Sequence, residues 1–224
     1  MSEQRRLPLV VLISGYGSNL LAIDDYCRSP HGRASIVRVI ADRPQAVGIE
    51  RARARGLPTV VVDYRSFASR RDFEYALAQA IDAALPEPTD GLILLAGFLR
   101  ILGDAFVARY AGRLLNIHPS LLPAYPGLDT HRRALEDGAT EHGATVHYVT
   151  AQLDGGPIIA QARVPILPDD DPQRLSARVQ RAEHKLYSEV VDSIARGAVR
   201  YENGVVIRDG KPQSQPPCRT FSEP

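Results

Sequence analysis

The sequence predicts an α/β fold: a single domain with a mostly parallel sheet and helices on both faces, becoming mixed toward the C-terminal half. Three observations predict it. Short, nearly continuous apolar runs recur along the first half of the chain, as expected of strands buried on both faces. Segments with helical spacing separate them, the arrangement that parallel strands with right-handed crossovers require. In the second half the connections shorten to a few turn residues, which makes neighbouring strands antiparallel.

The elements follow in order. "LPLVVLIS" (Leu7 to Ser14) is the first apolar run, and the glycine-bearing "GYGSN" follows it directly. "ASIVRVIA" (Ala34 to Ala41), "PTVVVD" (Pro58 to Asp63), "GLILLAG" (Gly91 to Gly97) and "RLLNI" (Arg113 to Ile117) repeat the type. "GIERARARG" and "RRDFEYALAQAIDAAL" read as helices between them, and "LLAGFLRIL" reads as a core strand running into a helix. After a proline-rich loop come a short helix candidate, "THRRALEDG", then the strands "GATVHYV" (Gly143 to Val149) and "IIAQARVPI" (Ile158 to Ile166), joined by the turn "LDGGP". From Pro172 to about Gly197 the residues Leu175, Val179, Ala182, Leu186, Val190 and Ile194 step by three or four, one apolar stripe along a long helix. "YENGVVIRDGK" reads as a hairpin around Asn203 and Gly204. The expected domain covers 1–210, with halves at about 7–110 and 111–210, and 211–224 reads as a flexible tail. There is no internal repeat.

Composition narrows the function classes. The 224 residues are 44% hydrophobic and 24% charged with a formal net charge of +1, ordinary values for a globular chain and without the basic excess of a nucleic-acid binder. The two cysteines, Cys27 and Cys218, are too few for a disulfide framework. No stretch approaches a membrane helix, and "MSEQRRLPLV" lacks the apolar core of a signal peptide. The expectation is a cytoplasmic protein acting on small molecules, with no nucleic-acid or membrane partner, as a monomer or homodimer.

In "SGYGSNL", a strand-loop-helix unit would turn backbone N–H groups and a helix N-terminus toward an anion, phosphate being the natural candidate. Ser18 and Asn19 are expected to cap that helix. The pattern begins like G-x-G-x-x-G at Gly15 and Gly17, but Leu20 takes the third place, and Asp42 after the second strand gives weak support for a nucleotide ribose.

Asn116 and His118 fall at the carboxyl end of a strand, the edge where open α/β sheets place ligands, and side chains two apart face the same side. Pro119, Pro123 and Pro126 restrict the loop beyond them. A carboxylate such as Asp154, in "LDGGP", would orient an imidazole and favour its charged form. His118, His131, His142, His147 and Asp154 lie in one half of the chain, but no H-E-x-x-H or neighbouring cysteine points to zinc. Ser120 lacks a G-x-S-x-G elbow, so a serine nucleophile has little support.

"VVLISGYGSNL", "LLAGFLRIL", "GRLLNIHPSLLPAYPGLDTHRRALEDG" and "HGATVHYVTAQLDGGPIIAQ", in this order and spacing, closely resemble the folate-dependent phosphoribosylglycinamide formyltransferases of purine biosynthesis. The resemblance covers roughly Leu9 to Val206 and implies their Rossmann-like formyltransferase fold. It also implies transfer of a formyl group from 10-formyltetrahydrofolate, as co-substrate, to the amine of glycinamide ribonucleotide, without metal or covalent enzyme intermediate. By that likeness Asn116, His118 and Asp154 form the catalytic trio. Gly17, Ser18, Asn19, Leu20 and Glu183 would hold the ribonucleotide. Arg70, the backbone of Leu99, Arg100, Ile101 and Leu102, Asn116, and the loop Thr150, Ala151, Gln152, Leu153 and Asp154 would line the folate site.

Read without the resemblance, Glu183 is a solvated flank of the long helix and Arg70 a solvated helix start. Asp129 stands where some family members carry histidine, and Ala151 where an acidic residue is usual in the folate loop. Two other functions compete: a formyltetrahydrofolate hydrolase, with water in place of the amine, and a nucleotide-binding dehydrogenase or regulatory module resting on the glycine loop alone.

Overall fold

The computed structural model describes residues 6–85, 87 and 90–221. The first residues, on which the reading of no signal peptide leans, and 222–224, the end of the expected tail, lie outside the described residues. The chain divides into two compact units, Met1–Leu115 and Asn116–Pro224.

In the first unit, β1 (Leu7–Ile13), β2 (Ala34–Ala41), β3 (Thr59–Val61) and β4 (Leu92–Leu95) lie in the order β4-β1-β2-β3, every pair parallel. From Pro8 to Ile13 β1 is buried throughout, which is why its residues read as a continuous apolar run and not as an alternation. The crossovers carry α1 (Ser18–Arg28), α2 (Val47–Ala54) and α3 (Arg70–Asp82). Ser69 caps α3 by accepting from the Asp72 N–H at 3.2 Å, and Phe73, Leu77 and Ile81 form its buried face.

One stretch departs from its expected form. "LLAGFLRIL" does not run from strand into helix: β4 ends at Leu95, residues 98–103 are irregular, and α4 starts only at Asp104 (Asp104–Arg109). Gly97, at φ 76°, turns the chain out of the sheet. Two residues on, the Leu99 N–H bonds at 2.8 Å to the Ser14 hydroxyl and not to a neighbouring strand. Apolar composition without a ladder partner gives a loop with Leu99 and Ile101 65% and 67% exposed.

The second unit holds β5 from Asn116 (the strand is Leu114–His118), α5 (Thr130–Glu136), β6 (Glu141–Tyr148), β7 (Ile158–Pro165) and α6 (Pro172–Ala195). β6 and β7 are antiparallel, the hairpin their short connection requires. Asp171 caps α6 through the Arg174 N–H at 2.7 Å, Pro172 opens it, and Leu175, Val179, Ala182, Leu186 and Val190 are buried against β6 and β7. Ile194, at the fraying end of the stripe, is only half-buried. β8 (Val199–Glu202) and β9 (Val205–Arg208) form the expected hairpin, with Asn203 and Gly204 both at positive φ.

The segment expected to be a flexible tail carries two short strands. β10 (Lys211–Pro212) adds to β9, and β11 (Cys218–Thr220) runs parallel to β7. The reason is an open sheet edge: β7 presents unpaired backbone groups, and Gln161 N–H bonds the Pro217 carbonyl while Phe221 N–H bonds that of Arg163.

Candidate active site

The glycine turn belongs to the first unit. Gly17, not Ser18 or Asn19, occupies the N-cap of α1, in the left-handed region, and no side chain caps the helix. The first turn contains no acidic residue, so the N–H groups of Ser18, Asn19 and Leu20 open the helix at its positive end. Gly48 of α2 packs against this turn, its N–H donating to the Gly15 carbonyl at 2.9 Å. A β-carbon at Gly48 would lie 2.6 Å from Ile13 Cδ1, 3.1 Å from that oxygen and 3.2 Å from Gly17 Cα. One turn farther along α2, Arg51 lays its guanidinium 4.1 Å from the Tyr16 ring centre and donates to the Tyr16 carbonyl. Nothing in the spacing of "GIERARARG" singles out either residue.

Asp42 is not free to meet a ribose. Its buried carboxylate accepts from Arg100 Nε at 2.6 Å and from Arg43 Nε at 3.1 Å. Burial alone would raise its pKa, but the two guanidiniums and the Ser14 hydroxyl outweigh this and hold the carboxyl below the ordinary range. The nucleotide-module reading thereby loses the acidic residue it needed.

Arg70 begins α3 with its side chain largely exposed, as a solvated helix start should. The same helix turn also meets the irregular loop: Glu74 accepts from the Gly103 N–H at 2.7 Å and lies 3.5 Å from Arg70 Nε. Arg70 and the segment Leu99 to Leu102 are thus brought together through Glu74, which the sequence reading missed.

In the second unit Asn116, His118 and Asp154 converge. Asp154 lies at φ 50° in the β6–β7 connection; its Oδ2 is 3.4 Å from His118 Nδ1 and accepts from the Gly127 N–H at 2.9 Å. The side chain is therefore not folded back on its own turn, the bland alternative for Asp before Gly. His118 Nε2 is 2.9 Å from the Tyr125 carbonyl. Both ring nitrogens therefore face acceptors, the Asp154 carboxylate on one edge and the Tyr125 carbonyl on the other.

His147 supports Asn116. Its Nδ1 sits 2.9 Å from the Tyr148 carbonyl, so that nitrogen carries the proton, and Nε2 accepts from Asn116 Nδ2 at 3.2 Å. Burial lowers the pKa of His147 and keeps it neutral, as this tautomer requires. An amide nitrogen has two N–H groups, and the bond to His147 uses one of those on Asn116.

The loop after His118 is fixed less by its prolines than by side chains reaching in from elsewhere. The Thr145 hydroxyl donates to the Ser120 carbonyl at 2.7 Å and accepts from the Leu122 N–H at 3.1 Å; Gln161 donates to the Leu122 carbonyl at 2.8 Å. Thr130 holds the Pro119 carbonyl at 2.7 Å, and Arg133 that of Pro126 at 2.6 Å. The Ser120 hydroxyl donates to the Ala124 carbonyl at 2.6 Å, which commits it to the loop and away from nucleophilic work.

Of the remaining expected residues, Ala151, Gln152 and Leu153 are exposed on the β6–β7 turn beside the half-buried Thr150. Glu183 is buried at 8% exposure on α6, so the solvated-flank reading is wrong. Among the described residues no group of three or more His, Cys, Asp or Glu side chains stands ready to hold a metal, and no helix is long and apolar enough to cross a membrane.

Residues 7–191 match the profile of the formyl transferase family. The chain is a member of that family. Phosphoribosylglycinamide formyltransferase of Escherichia coli K12 is 47% identical to this formyl transferase over 203 residues, 91% of this chain and 94% of that protein. The solved phosphoribosylglycinamide formyltransferase of Coxiella burnetii superimposes with a TM-score of 0.89 at 47% identity, covering 96% of this chain and 99% of that one. Glycinamide ribonucleotide transformylase 1 of Symbiobacterium toebii gives 0.85 at 41%, over 92% and 95%.

Proposed function

We infer that this formyl transferase moves the formyl group of 10-formyltetrahydrofolate to the amine of glycinamide ribonucleotide in purine biosynthesis. The observation that carries the reading is the length of the match: 47% identity over 94% of the Escherichia coli enzyme. The folate supplies an activated formyl carbon; the amine nitrogen bonds to it, the bond to the folate nitrogen breaks, and one proton passes from the first nitrogen to the second.

The residues divide the work as follows. Asn116 offers its second amide N–H, and His118 a ring N–H, to the oxygen that gains negative charge as the amine adds; donors fixed on such an oxygen are the largest lever for acyl-type transfer. For His118 Nε2–H to reach that oxygen it must leave the Tyr125 carbonyl, and a charged acceptor outcompetes a neutral one. Asp154 keeps the opposite edge of the ring in place. The N-terminus of α1, from Gly17 to Leu20, receives the ribonucleotide phosphate, with Glu183 assigned to the same substrate by resemblance. The exposed apolar edges of Leu99 and Ile101 and the exposed guanidinium of Arg70 suit a folate ring and its glutamate carboxylates.

An assay of formyl transfer to glycinamide ribonucleotide, with release of tetrahydrofolate followed alongside, tests the reading. Release that depends on the ribonucleotide supports it; formate release at the same rate without the ribonucleotide would make the protein a hydrolase instead.

A further inference from the structure

Asp42 follows β2 at the carboxyl end of the first unit's sheet, and its side chain is wholly buried. A buried carboxylate is costly unless every lone pair has a use. Here its bonds lead to one place. Through Oδ2 it grips Arg100, whose guanidinium also stacks 4.1 Å from the Tyr64 ring centre, and the Tyr64 N–H returns to the Asp42 carbonyl at 2.9 Å. At the end of β1 the Ser14 hydroxyl oxygen accepts the Leu99 N–H at 2.8 Å.

The Asp42 carboxylate thus restrains the side chain of Arg100, next to the point where a single hydroxyl holds the main chain of Leu99. Both belong to the irregular stretch 98–103, which has no strand or helix ladder of its own. We propose that Asp42 is a positioning residue for the one-carbon donor, setting the shape of Leu99 to Leu102 that receives the folate ring. The proposal rests on the folate assignment of that loop made above. A carboxylate serving the sheet alone would bond to strands, whereas this one bonds to Arg43 and to Arg100 of the ligand loop.

The full-length protein tests it with Asp42→Ala, Asp42→Asn and Ser14→Ala. Steady-state kinetics on both substrates are combined with amide hydrogen exchange at Leu99, referenced to Val39, whose N–H bonds the Pro58 carbonyl at 2.8 Å. Asp42→Ala should raise KM for the folate donor about tenfold and leave kcat and the ribonucleotide KM within about twofold. Leu99 exchange should quicken about tenfold with Val39 unchanged. Asp42→Asn, which keeps an acceptor but not the charge, should fall between Asp42→Ala and the wild type. Ser14→Ala should reproduce the Leu99 effect and keeps the proposal testable if Asp42→Ala does not fold. Equal losses on both substrates with faster exchange at Val39 would overturn it in favour of general stability, as would an unchanged folate KM. A wild-type protein that transfers no formyl group would sink the parent reading, and Leu99 exchange would then still decide whether Asp42 positions the loop.

Discussion

The glycine turn of the first unit and the Asn116–His118–Asp154 cluster of the second present opposite materials to a ligand. The turn offers main-chain N–H groups at the start of α1, with the side chains of Asn19 and Leu20 buried behind them. The cluster offers side chains, each held by another group: His118 by the Tyr125 carbonyl and Asp154, Asn116 by His147, Asp154 by the Gly127 N–H. A main-chain site is spoiled by what crowds its backbone. A side-chain site is spoiled by loss of the functional group itself or of the group that aims it.

The largest effect should come from the cluster. His118→Ala removes a ring N–H donor and should cost about 3 kcal/mol of transition-state stabilisation, roughly a hundredfold or more in kcat. Both KM values should move far less. Asn116→Ala should behave alike, and near wild-type turnover in either variant would refute the assigned roles.

This contrast also explains what was legible in the sequence. Asn116 and His118 could be placed because a period of two along an apolar strand fixes which side chains share a face, and β1 followed by Gly15 and Gly17 could be read because a tight turn leaves a glycine signature. The commitment of Asp42, the roles of Glu74 and His147 and the strand at Cys218–Thr220 were not legible. Each depends on a partner far away in the chain: Arg100 for Asp42, Gly103 for Glu74, Asn116 for His147, the edge of β7 for β11. The loop 98–103 misled for the same reason, since its apolar composition suits a strand while the bonds that hold it, from Ser14, Asp42 and Glu74, come from far earlier in the chain.

Next in size is the support behind the cluster. Thr145 is fully buried, and Thr145→Val strips the Ser120 carbonyl of its donor and the Leu122 N–H of its acceptor. Buried groups left unpaired cost about 2 kcal/mol, read as a lower urea midpoint at an unchanged m-value. The loop that supplies the Tyr125 carbonyl loosens with it, so kcat should fall more than either KM rises. A kcat/KM loss carried by KM alone would separate this loop from catalysis.

A comparable effect is reserved for acid. Burial, reinforced by the neighbouring His131, pushes the pKa of His142 down to about 4, and its ring stacks edge-on against Tyr125 and His131. The unfolded chain binds this proton near pH 6.5 while the native protein does not, so stability falls as the pH drops from about 6.5 toward 4. Between pH 7.5 and 5 this one group accounts for about 2 kcal/mol. Unfolding of His142→Gln measured at both pH values should show a loss on acidification smaller by that amount, and an identical slope would mean that other groups carry the acid sensitivity.

The smallest effect tests the main-chain site by a residue distant in sequence. In Gly48→Ala the new methyl group meets Ile13 Cδ1 at 2.6 Å, a side-chain end that can swing aside, but also the Gly15 carbonyl and the Gly17 Cα at 3.1 and 3.2 Å. Those two backbone atoms can yield only if the turn itself shifts, and a shift of a few tenths of an ångström would misdirect the N–H groups proposed to receive the phosphate. The expected result is about a tenfold rise in the ribonucleotide KM, or about 1.4 kcal/mol, with the folate KM and kcat nearly unchanged. Inhibition by inorganic phosphate should weaken in parallel, because it would use the same N–H groups without the rest of the substrate. If instead the ribonucleotide KM held and only thermal stability fell, α2 would serve packing alone, and the phosphate would have to be placed elsewhere than at the start of α1.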